Sequence, residues 1–212
     1  MKKIFALISI WSTLSCFAQT ESRIDYVKEN TYYFEINKSN IEGEGANILQ
    51  NSIKESQFFI LGEEHFSAKV SEFTSAIIPI LAKENYKYFA VEIGPNSASK
   101  ISDIIKENKS LYEFNSKVND LVGEVPVPFF DGKEDEAFLK SALDKGFELW
   151  GIDQEYLTSQ VFLIDEIYNL SKNKSSLYTS YKKAKNYLIE ETKKGRENNL
   201  SLIHISEPTR PY

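Results

Sequence analysis

Three short apolar-rich runs, Gln57–Leu61, Tyr88–Ile93 and Phe147–Ile152, are separated by stretches whose apolar residues recur at helical spacing. Runs this short, bounded by turn or polar residues, read as strands buried on both faces. The intervening stretches are long enough to carry the chain back to the start of a neighbouring strand, which parallel pairing requires. The pattern predicts one α/β domain: a parallel sheet with helices on both faces, incomplete at the C-terminus.

The helical stretches are legible individually. Ala46–Glu55 carries Ile48, Leu49 and Ile53 on one face, and Ala68–Asn85 carries Val70, Phe73, Ile77, Ile80 and Leu81, with Pro79 inside as an expected kink. Ser97–Glu107 is expected to bury Ile101, Ile104 and Ile105, and Leu111–Leu121 forms a further helix. Val125-Pro126-Val127-Pro128 is expected to be extended, because each proline disfavours helix at its predecessor. Asp131 then stands as an N-cap, with Glu134, Asp135 and Glu136 in the first turn, where carboxylates suit the helix dipole; that helix closes at Gly146. Leu157–Leu170 and Ser175–Lys194 follow, the latter a Lys- and Tyr-rich solvated element. Residues 19–40 read as a polar lead-in.

The composition, 42% apolar and 26% charged over 212 residues, is that of a globular chain and excludes a disordered or low-complexity one. Residues 1–18 read as a signal peptide: Lys2 and Lys3 precede an apolar run, Ile4–Leu14, that is too short to span a bilayer. Cleavage after Ala18 is expected, which makes the protein exported, periplasmic or extracellular. The alternative is a lipid anchor on Cys16. Cys16 is the sole cysteine, so the mature chain has no disulfide and no thiolate metal site. Loss of Lys2 and Lys3 takes the formal charge from −6 to −8, which argues against nucleic acid or anionic lipid as a partner. The run Leu200–Arg210 resembles the translation of a transposon adapter used in preparing sequencing libraries. Residues 200–212 are therefore expected to be a non-native tail, leaving residues 19–199 as the N-terminal part of one domain.

Each apolar run leads into polar groups with chemical capacity. The first runs into Gly62-Glu63-Glu64-His65, the second contains Glu92 before Gly94, and the third leads into Asp153-Gln154-Glu155. In an open parallel sheet the strand C-termini share one edge, where ligands bind. Glu63, His65, Glu92 and Asp153 are thus candidates for one cleft. A histidine among carboxylates suits a general base acting on water, or a divalent metal held by Glu63, His65 and Glu92. The chain has two histidines, and the other, His204, falls in the adapter-like tail. Glu92 is flanked by Val91 and Ile93, and a buried acid there is costly unless paired. Asp153 is balanced between a cleft residue and an N-cap of the next helix, and Glu64 and Glu155 read as structural.

The chain has no G-x-S-x-G, no Walker A run and no G-x-G-x-x-G; Gly43-Glu44-Gly45 reads as a turn. The run Leu61-Gly62-Glu63-Glu64-His65, the Phe89-Ala90-Val91-Glu92 strand and the Trp150-Gly151-Ile152-Asp153-Gln154 strand resemble the erythromycin-esterase-like proteins. That group sits in a wider superfamily with the Tiki/TraB-type proteases and the ChaN-type haem-binding lipoproteins. The resemblance covers roughly residues 55 to 170. It implies a hydrolase acting on a small-molecule ester, with His65 activating water, Glu63 and Glu92 as its acidic partners and Asp153 in the cleft. One residue separates Glu63 from His65, where the esterase motif has two. That spacing is closer to the ChaN-like branch, which implies the alternative of a non-catalytic protein binding haem or iron.

Overall fold

A computed structural model describes residues 25–37, 40–62, 67–128, 130 and 132–197. The polar lead-in contains structure that its composition does not announce. Glu35–Asn37 (β1) and Asn40–Glu42 (β2) pair antiparallel, with Ile36 opposite Ile41. Ile41 is buried, so this small pair plugs one end of the core. The helices follow as α1 (Glu44–Glu55), α2 (Ala68–Lys83), α3 (Pro95–Lys106), α4 (Leu111–Val122), α5 (Lys133–Asp144), α6 (Gln160–Leu170) and α7 (Lys174–Glu197). The remaining strands are β3 (Tyr88–Val91) and β4 (Glu148–Gly151). The fold is mixed α/β, and β3 pairs with β4 in parallel. Among the described residues no helix is long and apolar enough to cross a membrane.

The same device starts both parallel strands. Asn85 (φ 66°) and Gly146 (φ 82°) sit in the left-handed region just past α2 and α5. The next amide folds back five residues in each case: Tyr86 N–H donates to Leu81 O (3.1 Å) and Phe147 N–H to Ala142 O (3.0 Å). This is a Schellman closure, which satisfies helix-end carbonyls and reverses the chain. Asparagine and glycine are the residues that tolerate that conformation. Because α2 packs along α5, their ends deliver β3 and β4 side by side and in step, with Glu148 N–H bonded to Lys87 O (2.8 Å). The register then runs Tyr88 to Glu148 through Val91 to Gly151.

Val91 and Ile93 are buried and Phe89 is half-buried against the core. Tyr88, Ala90 and Glu92 face the other way and are exposed, as are Glu148, Trp150 and Ile152. This is the period-two alternation of a sheet with one covered face. The expectation of strands apolar on both faces and covered on both sides therefore needs correcting for the described pair: its helices lie on one face, and on the other the Tyr88 and Trp150 rings pack against one another, tilted by 34° with centroids 4.2 Å apart.

The first apolar run is a second correction. Residues 57–61 form no strand. Phe58 and Ile60 are 81% and 89% exposed, and only Phe59 packs on the core. No backbone hydrogen bond joins residues 57–62 to another described residue. The segment is tethered at its start, because the Tyr86 hydroxyl donates to Ser56 O (2.8 Å), with Ile53 O also close by (3.1 Å). Its backbone beyond that point has no ladder, so apolar composition alone does not make it a strand.

Helix boundaries lie within a few residues of the periodic pattern, and α2 continues as helix through Pro79. The proposed cap Asp131 lies outside the described residues. Within them, Asp135 supplies the closure: it accepts from Gly132 N–H (3.0 Å) and from Ser71 Oγ–H of α2 (2.6 Å). The Val125–Pro128 stretch is bent rather than extended and buries Val127. The signal-peptide residues and the tail from 200 on, with Cys16 and His204, also lie outside the described residues.

α6 and α7 are held by a polar clasp. Lys185 Nζ bridges both Asp165 oxygens (2.7 and 2.6 Å), and Tyr181 donates its phenol proton to Asp165 Oδ1 (2.8 Å) while stacking on Tyr168 at 4.1 Å. The carboxylate that accepts the phenol proton raises the Tyr181 pKa above the ordinary tyrosine range; partial burial adds to this. A pKa raised by folding contributes stability that is complete below the unfolded pKa and lost as pH rises through the folded one. Stability is thus expected to fall above about pH 10. Tyr181→Phe should remove that part of the alkaline loss. Ultraviolet titration of phenolate in the two proteins checks this, with Tyr181 expected among the last tyrosines to ionise.

Candidate functional site at the strand ends

The pairing of β3 and β4 does not stop where the regular strands do. Ile152 N–H donates to Val91 O and Asp153 N–H to Ile93 O, both at 3.1 Å. Between them the chain makes a three-residue turn, with Ile93 N–H bonded to Val91 O (2.9 Å). Glu92 is the central residue of that turn. The result is one C-terminal edge carrying Glu92 from β3 and Asp153 from β4, as strand order and parallel pairing predict.

Two glycines make this edge possible through space rather than φ. A Cβ on Gly151 would overlap the carbonyl of Gly94 and lie 2.7 Å from Ile93 O. The backbones of the two strand ends therefore approach more closely than any side chain permits. A Cβ on Gly94 would overlap the carboxylate of Glu155.

Glu92 is exposed. The expectation that its apolar neighbours bury it is corrected by the alternation: Val91 and Ile93 point into the core, so Glu92 points to the open face, where water solvates it. Asp153 is also exposed, and its Oδ1 accepts from the adjacent Gln154 N–H (2.7 Å). It does not cap the next helix, because α6 begins only at Gln160, with Ser159 at the cap position. Glu63 and His65, with Glu64 between them, lie outside the described residues. Gly62 is the last described residue before them.

Glu155 plays the structural part its sequence position suggested, in a specific way. Gly94, at the cap position of α3, has no side chain to accept from the first-turn amides. Glu155 reaches across from the segment after β4 and supplies the missing acceptor. Oε1 takes Asn96 N–H (2.6 Å) and Ser97 N–H (3.2 Å), and Oε2 takes Ser97 Oγ–H (2.5 Å). Ser97 also lies 3.2 Å from Ser159 Oγ, which donates to Pro126 O at 2.6 Å. Each hydroxyl has one proton, so the two short bonds are the ones made. Both serines are fully buried. Sequence reading gave Ser97 and Ser159 no role; the signal for the first was a Gly-Pro opening after a strand, which marks a helix start without a side-chain cap.

Among the described residues no cluster of three or more His, Cys, Asp or Glu is arranged to hold a metal ion. The donors at the edge are the two exposed carboxylates, Glu92 and Asp153, which suit a hard cation only with further ligands. A separate groove of about 420 Å³ lies between β2, α1 and α2, lined by Ile41, Gln50, Pro79, Ile80 and Lys83 among others, and includes no strand-edge residue. No protein-family model, curated protein or solved structure matches this chain.

The close backbone contact gives a direct test of the edge. Gly151→Ala forces backbone apart from backbone, where no side chain can yield. It should cost about 1–3 kcal/mol, the range of overpacking in a well-packed site. Urea denaturation measures the loss, and a stability within experimental error of the parent would contradict the contact.

Proposed function

We propose that this chain is an exported hydrolase of the erythromycin-esterase-like group, acting on an ester or related bond in a small molecule. The observation that carries the reading is the edge itself: ladder bonds run past two parallel strands and bring Glu92 and Asp153, both exposed, to the same C-terminal edge. In this reading Glu63 and His65, which follow Gly62, join Glu92 and Asp153 at the same edge, and further elements complete the sheet and cover its open face.

His65 then acts as general base. It takes a proton from water, the hydroxide attacks the ester carbonyl, and the proton passes to the departing alcohol. Glu63 and Glu92 orient the imidazole and stabilise its cationic form, and Asp153 lines the cleft. Mature protein expressed from the intact gene should hydrolyse a model ester or a macrolide. General base catalysis contributes about 10²–10⁴ in rate. His65→Ala should therefore lose at least about a hundredfold in kcat while its circular dichroism is unchanged. Equal hydrolysis by the variant would sink the assignment.

The single residue between Glu63 and His65 favours a second reading, a haem- or iron-binding protein without catalysis. Under that reading the mature protein shifts the absorption band of added haem, His65→Ala does not, and neither hydrolyses the ester.

A further inference from the structure

We propose that Glu155 is the positioning residue of the strand-edge site, locking the segment after β4 onto the first turn of α3 and so fixing where Asp153 stands on the edge it shares with Glu92. The inference rests on the functional reading above for its consequence in catalysis, but its geometry stands separately.

Three observations carry it. First, among the described residues the carboxylate bonds only a different part of the chain, Asn96 and Ser97, fifty-eight or more residues away in sequence. It is not a local cap of its own segment. Second, the socket is shaped for it. Gly94 is the cap residue of α3, and a side chain there would occupy the volume of the Glu155 carboxylate. The missing Cβ and the incoming acid are two halves of one feature. Third, the lock brackets the candidate residues. Glu92 lies two residues before Gly94, Asp153 lies two before Glu155, and the Asp153 N–H to Ile93 O bond joins the two strands between these points.

The remaining contacts show why a carboxylate is needed. The amides of the first turn have no helical acceptor, and the positive end of the helix dipole favours an anion there. Ser97 supplies a hydroxyl proton to the second oxygen, and the buried Ser159–Pro126 bond holds the wall behind it. Glu155 thus touches no substrate in this scheme. It determines where Asp153 sits and how freely the 152–155 segment moves.

The test uses the full chain with Glu155→Ala, Gly94→Ala, their combination and Glu155→Gln. Gly94→Ala is informative because the atoms its added methyl meets first are the carboxylate at the far end of the flexible Glu155 side chain, which it evicts. Amide hydrogen exchange reports the lock directly. Glu155→Ala and Gly94→Ala should each speed exchange at Ile152 and Asp153 about tenfold, the double variant no more than either alone, and Leu139 in α5 should be unaffected. Glu155→Gln, which keeps one acceptor for the amides, should fall between. Unchanged exchange at Ile152 and Asp153 in both single variants overturns the proposal, as does an additive effect in the double. If the parent hydrolyses ester, the single variants should lower kcat about tenfold with KM held; a rise in KM alone would overturn the positioning role. If the parent does not hydrolyse ester, the functional reading fails, and the exchange result still decides whether Glu155 is the lock.

Discussion

The parallel contact between β3 and β4 is the constraint on which the rest of this structure depends. It is only four residue pairs long. A parallel pair of that length has little stability of its own, so its position must be imposed from outside. The imposition comes from two helix ends. Asn85 and Gly146 turn α2 and α5 into their strands by the same left-handed closure, and the packing of α2 on α5 sets the two turns side by side. At the far end, the contact persists because Gly151 lets the backbones close and because Glu155 ties the outgoing segment to α3. The sheet is thus held at both ends by helix termini rather than by its own width.

One consequence is the asymmetry of the sheet. α3 and α5 cover the face bearing Phe89, Val91 and Leu149, where the core lies. The opposite face carries Tyr88, Trp150 and Ile152 in the open, with Glu148 accepting from the Trp150 indole N–H (3.0 Å). Parallel sheets bury both faces as a rule, because their crossovers lay helices on each side. Here the crossover from β3 to β4, through α3, α4 and α5, supplies helices to one side only. Among the described residues each of the two strands pairs on one side only, which leaves its other edge as a template for further pairing.

What the sequence revealed follows from which signals are local. The helices were legible because their apolar faces repeat over three or more turns: Ile101, Ile104 and Ile105 are all buried, as are Ile77 and Leu81. β3 and β4 were legible because the apolar runs Tyr88–Ile93 and Phe147–Ile152 stop at Gly94 and Asp153. The same signal at Phe58–Leu61 gave a strand that the structure does not form, because a short apolar run states a preference for burial without naming a partner. β1 and β2 escaped notice because a three-residue strand has too few alternations to register. At the site, the common edge of Glu92 and Asp153 was legible from strand order. The exposure of Glu92 was not, because flanking apolar residues signal burial only when both faces are covered. Glu63 and His65, which lead the functional reading, lie outside the described residues, so for them the sequence remains the argument.

The carboxylates at this edge divide by what the fold already asks of them. Glu155 has both oxygens engaged by the first turn of α3, so its bonding capacity is spent on architecture. Asp153 commits one oxygen to the Gln154 amide, and the residue is exposed. Glu92 stands at the apex of a three-residue turn, with its backbone held on both sides by Val91 and Ile93 and its side chain in water. Of these three acids, Glu155 is the one whose oxygens meet the first turn of α3. A helix start capped by its own residue would have left Glu155 as a third solvated acid with no fixed place. By taking a glycine at the cap position, α3 instead couples the two strand ends. The edge is left with two outward carboxylates whose separation is governed by backbone bonds.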